Sequence, residues 1–136
     1  MSVELFTPDG MFQPVPYHHV SVATGSRHVN VAGQIARDEH ANKLAPGDLA
    51  GQLAHALRNT AKALAGAGAS FSDVVRLRFY VVGWQPEMYV DFMAGIESVV
   101  AELGIPQPLP PLSCIGVDYL FEPDVLVEVE AEALLD

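Results

Sequence analysis

Three glutamates at alternate positions, Glu128, Glu130 and Glu132, are the most concentrated chemistry in this sequence. In the run from residue 126 to 134 they alternate with Val127, Val129, Ala131 and Ala133, and side chains two apart on a strand share a face. That strand is therefore apolar on one side and carboxylate-bearing on the other. Such carboxylates either stay in solvent or, when one lines a cleft, hold water and move protons. The spacing leaves both readings open for each glutamate.

The other reactive side chains are thinner on the ground. Cys114 is the only cysteine, with no cationic neighbour in sequence to lower its thiol pKa, so a small buried hydrophobe is the plain reading and a cleft wall the sharper one. Tyr17, after Pro16, is either a loop packing residue or a cleft hydroxyl. Among five histidines, His18 and His19 are adjacent and so face opposite ways, and no His-x-x-x-His pair occurs. Without further thiols there is no basis for a metal site. No Gly-x-Ser-x-Gly motif marks a serine nucleophile, and the Gly66-x-Gly68 pair follows a helical pattern where a nucleotide loop needs a preceding strand.

Elements that must position these groups are legible from periodicity. Residues 112–120 and 126–134 read as a strand pair joined by a Pro-bearing loop, and residues 18–32 as a hairpin about Gly25-Ser26. Residues 33–48 are polar and punctuated by Pro46 and Gly47, a loop. Leu49, Leu53, Leu57, Ala61 and Leu64 recur at helical spacing behind an Asp48 cap. Residues 74–82 form a central strand with Val75, Leu77, Phe79 and Val81 on one face and Val74, Arg76, Arg78, Tyr80 and Val82 on the other. A second helix is expected over 86–103, and a short strand over 4–7. Hairpins at both ends and helix–strand alternation in the middle predict an α+β fold, one mixed sheet with two helices packed on one face. The other face then has no cover within the chain: Arg76, Arg78, Tyr80 and the glutamates suit it to solvent, while Val74 and Val82 suit it at least as well to burial against other copies.

Composition bounds the function classes. The chain has 136 residues, half of them hydrophobic and 18% charged, which predicts a single folded domain over 1–136. Its formal net charge of -10, with seven scattered Lys and Arg, argues against a nucleic-acid partner. No apolar run approaches the ~20 residues of a membrane helix, and the N-terminus lacks the basic and apolar regions of a signal peptide. A cytoplasmic location is the expectation.

Several stretches, in order, resemble the Rid/YjgF family of small trimeric proteins, whose best-known members are enamine/imine deaminases. They are PVPYHHV, VAGQIA after the first hairpin, the helix with Leu57 and Asn59, GASFSDVVRLRFYVV, SCIGV and LVEVEAEA. The resemblance implies a chorismate-mutase-like fold, a homotrimer, no cofactor, and a small-molecule cleft at each subunit interface. It matches Glu128 to the glutamate that orients the attacking water, Tyr17 to the early-loop tyrosine, Gly33 to a substrate-binding glycine and Cys114 to the cleft cysteine.

Three positions depart from the family pattern. The arginine that clamps the substrate carboxylate is Leu112, the serine before the Gly-Gln pair is Ala32, and the asparagine of the second helix is Asp91. A guanidinium offers a fork of donors to a carboxylate and leucine offers none, so the cleft should favour neutral, cationic or more apolar ligands unless Arg76 or Arg78 supplies another cation. Two readings follow: a divergent hydrolase of C=N bonds, poor on the archetypal 2-imino acids, or a trimer that binds a small molecule without turning it over. A ribonuclease, an activity attributed to some of the family, fits poorly with so acidic a chain.

Overall fold

A computed structural model describes residues 2–136. The strands are β1 (Ser2–Phe6), β2 (Val20–Thr24), β3 (Arg27–Gln34), β4 (Val74–Val82), β5 (Leu112–Val117) and β6 (Val127–Leu135); the helices are α1 (Leu49–Gly66), α2 (Tyr89–Glu97) and the single turn α3 (Val100–Leu103). The α+β class holds, with α1 and α2 packed on one face of a four-stranded mixed sheet of order β3-β6-β4-β5. β1 and β2 form a separate antiparallel ribbon.

The core lies between helices and sheet because the two periodicities meet there. Leu53, Leu57 and Leu64 of α1, Phe92 and Ile96 of α2, Leu77, Phe79 and Val81 of β4, and Val127, Val129 and Ala131 of β6 are all buried. Asp48 caps α1 as its sequence implied, its Oδ1 accepting from Gly51 N at 3.0 Å. Gln52, also buried, serves as a polar clasp: its Nε2 donates to Asp124 O and its Oε1 accepts from Leu126 N, each at 2.9 Å, tying the chain entering β6 to α1.

The pairings differ from the sequence reading in two places. The runs around β5 and β6 are not partners. β4 stands between them, parallel to β5 and antiparallel to β6, and β5 ends at Val117, short of the expected 120. β4 and β6 are the two central strands, each with its inward face buried and its backbone paired on both edges. Nor do residues 18–32 close a hairpin: β2 pairs with β1, and β3 with β6. The Gly25-Ser26 corner docks on the end of β6 instead, where Ser26 N donates to Leu135 O at 2.9 Å.

Two smaller corrections have local causes. The register of β4 on β6 slips between Val74 and Arg76, a bulge that turns Val74 into the core in place of Val75. The expected helix over 86–103 is interrupted: a 3-10 turn covers Pro86–Met88, and the helix breaks at Ser98 and Val99, where the Ser98 hydroxyl donates to Gly95 O at 2.8 Å. The loop expected over 33–48 also starts two residues late, since Gly33 and Gln34 belong to β3.

Candidate functional site

Two of the three carboxylates on β6 are already committed to neighbours on β4. Arg78 Nη1 donates to Glu132 Oε1 at 2.6 Å, and the Tyr80 hydroxyl donates to Glu130 Oε1 at 2.5 Å. That bond, with burial and the charge of Glu130, holds the Tyr80 phenol protonated above its ordinary range. Glu128 makes no side-chain hydrogen bond among the described residues and is half-buried. Burial pushes its pKa up, and the negative charge of Glu130 pushes it further. A carboxylate without a partner and with raised basicity is suited to taking a proton from water.

Gly33 explains where Glu128 rests. The register of β3 on β6 shifts between Val31 and Gln34, inserting one extra residue on β3 across from Glu130. A Cβ at Gly33 would stand 2.5 Å from both Cδ and Oε2 of Glu128, so the carboxylate lies directly on the glycine backbone. Gly33 also borders a cavity of about 480 Å³ with Arg37, Asn59 and Lys62. The loop after Gly33 is held by Asn59, whose Nδ2 donates to Ile35 O at 2.9 Å and to Arg37 O at 2.8 Å. Arg37 in turn grips Asp124 at 2.8 Å and Glu122 at 3.0 Å, locking this loop to the one before β6.

Tyr17, Leu112 and Cys114 gather elsewhere, around a cavity of about 380 Å³ walled also by Trp84, Phe92 and Met93. The segment bearing Tyr17 is fastened alongside the approach to β5 by two backbone bonds of 2.8 Å, His18 N to Leu109 O and Leu109 N to Pro16 O. Leu112 and Cys114 share a face with their β4 partners Leu77 and Phe79, the helix side. Phe79, Phe92 and Trp84 continue this wall in edge-to-face contacts of 5.1 and 5.7 Å. Cys114 is exposed in the single chain rather than the small buried hydrophobe of the plain reading, a wall of the open cavity; partial desolvation there raises its thiol pKa, which keeps it protonated and a poor nucleophile.

One chain therefore holds two groups of the residues singled out in the sequence. Glu128 and Gly33 lie on the open face at β6 and β3; Tyr17, Leu112 and Cys114 lie on the helix face at the β5 edge, with β4 between. Asp91 joins neither. It is exposed in the first turn of α2, while Tyr89, Phe92 and Met93 of that helix reach the cavity. The sequence reading missed Trp84, which sits in the turn after β4; a tryptophan in so short a connection was the available signal. Among the described residues no cluster of His, Cys, Asp and Glu is arranged to hold a metal ion, and no helix is long and apolar enough to cross a membrane.

Comparison with known proteins agrees with this architecture. The family described as endoribonuclease L-PSP matches residues 12–135. A Rid protein of unknown function, YyfB from Yersinia pestis, is 33% identical over 99% of this chain and all of its own, with a TM-score of 0.87. A YjgF/YER057c/UK114-family protein from Mycobacterium tuberculosis is 28% identical over 98% of this chain and all of its own, with a TM-score of 0.61. E. coli TdcF, solved with bound serine, has the same fold at 23% identity over 100% of this chain and 99% of its own, with a TM-score of 0.68. A match along nearly the whole chain, in sequence and in backbone, makes this protein a member of the Rid/YjgF family.

Proposed function

We propose that the protein is a divergent Rid-type hydrolase of C=N bonds, acting in a cleft formed between copies of the chain in a homotrimer. The observation that carries this is Glu128: of three carboxylates on one strand face, it alone has no hydrogen-bond partner among the described residues, and its basicity is raised. The bound serine of TdcF is in keeping with a small-molecule cleft on this fold.

In the reaction, the oxygen of water adds to the imine carbon while the C=N π pair moves to nitrogen. Glu128 takes a proton from the water and passes it to that nitrogen, giving a carbinolamine. Transfer of the hydroxyl proton to nitrogen through the same carboxylate lets the carbonyl form and ammonia leave, so imine plus water becomes ketone or aldehyde plus ammonia. The Tyr17 hydroxyl and backbone N–H groups near Gly33 or Cys114 orient the substrate. Within one chain Glu128 and the Tyr17 cavity are on opposite sides of the sheet, so the reading requires a second copy to bring them together. Exposed apolar residues such as Ile115 on the open face support that packing.

Ammonia release from imines, generated from a panel of primary amines by an amine oxidase and from amino acids by an amino-acid oxidase, tests the reading. Acceleration that Glu128→Gln lowers by about 10²- to 10⁴-fold is expected, with little activity on 2-iminobutanoate. No acceleration with any imine, or full activity of Glu128→Gln, overturns it. A solution mass near that of one chain would remove the interface cleft. Leu112 favours a second reading, a non-catalytic binding trimer, for which the same panel would yield binding without ammonia.

A further inference from the structure

We infer that Arg76 is the anion anchor of the apolar cavity, and that the ligand is an apolar carboxylic acid whose hydrophobic body fills the space between Trp84, Phe92 and Leu112. The inference rests on the reading above only in placing a small molecule in this cleft; it requires no turnover.

Carboxylates outnumber cations in this chain, 17 to 7, so an arginine left without an acidic partner is informative. Arg37, Arg58 and Arg78 are each paired with a carboxylate at 3.0 Å or less. Arg76 makes no ion pair among the described residues, although Glu132 is its register partner on β6, because Glu132 is taken by Arg78. Its Nη2 instead donates to the Ser113 hydroxyl at 2.7 Å. Ser113 is itself a wall residue of the 380 Å³ cavity and directly follows Leu112. Ser113 alternates with Leu112 and Cys114, so its hydroxyl and the guanidinium lie on the open face, beside Leu112, the position where the family pattern has its clamp.

On the guanidinium's side is a second recess, of about 230 Å³, bordered by Arg76, Tyr17, His18, His19 and Leu112. Tyr17 and Leu112 belong to both hollows. The smaller one is of a size for an anionic head group, and the larger suits a ring or branched chain. A guanidinium has five N–H donors, and one bond to a hydroxyl leaves a fork free for a carboxylate. Leu112 does not abolish anion recognition on this account. It moves the cation from β5 to β4 and lends the vacated position to apolar contact.

Titration calorimetry with phenylacetate and with its uncharged amide, phenylacetamide, tests this on the wild-type protein. The acid is expected to bind at least about ten-fold more tightly than the amide, and Arg76→Gln to erase that preference while Arg58→Gln retains it. Equal affinity for acid and amide, binding of neither, or a preference that survives Arg76→Gln overturns the inference. The wild-type pair of ligands decides the matter even if Arg76→Gln does not fold. Carboxylate binding without ammonia release would sink the hydrolase reading alone, and imine hydrolysis without acid preference would sink this one alone.

Discussion

Replacing Gly33 by alanine adds one methyl group at the point where β3 touches Glu128. The new Cβ would lie 2.5 Å from Cδ and Oε2 and 2.8 Å from Cγ of that glutamate. Ordinary separation requires the carboxylate to retreat by roughly an ångström, and what must move is the free end of a flexible side chain. The backbone itself accepts the change, since Gly33 is not among the residues with positive φ. Alanine also restricts the unfolded chain, worth about 0.4 to 1 kcal/mol in favour of the fold. Stability should therefore hold or rise slightly. A displacement of about 1 Å in a reacting group costs on the order of 10²-fold in rate. The expected result for Gly33→Ala is an unchanged urea midpoint with kcat/KM for imine hydrolysis lower by about 100-fold, and little further loss on adding Glu128→Gln. Full activity in Gly33→Ala would refute the idea that Glu128 works from its seat on the glycine. Activity falling in step with the folded fraction would show that the glycine serves packing alone.

The pH profile carries a second test. Glu128 acts as a carboxylate, so activity rises with pH through its pKa, and a raised pKa places that acid limb above the ordinary glutamate range. Glu130→Gln removes the repelling charge, lowers the Glu128 pKa and moves the limb to lower pH, with the contribution of burial remaining; an unmoved limb in kcat/KM would assign it to another group. Stability away from the site is tested at Gln52. Gln52→Leu strands the Asp124 carbonyl and the Leu126 N–H that the amide satisfies, and at about 1 to 3 kcal/mol for each unsatisfied group the loss in urea unfolding is expected near 2 to 6 kcal/mol. A loss below about 0.5 kcal/mol would mean that both backbone groups find other partners.

Alternation along residues 127–135 and 77–81 and the 3–4 spacing of leucines in α1 already determine which faces meet in the core, because burial of those faces is a local consequence of period 2 and period 3.6. They also determine that Glu128, Glu130 and Glu132 share one face. The motifs in order were specific enough to carry the family, and with it the α+β class. What periodicity does not encode is partner choice. The hydrogen-bonding edges of strands are chemically alike, so nothing in the 112–134 stretch announced that β4 would insert between β5 and β6, or that β2 would leave β3 for β1. Only the tertiary structure sets Tyr80 and Arg78 where they occupy Glu130 and Glu132 and leave Glu128 without a hydrogen-bond partner among the described residues, and only it leans Arg76 across to Ser113. Each of those distinctions depends on register between strands far apart in the chain, and register is decided by the packing of the whole sheet rather than by any segment of it.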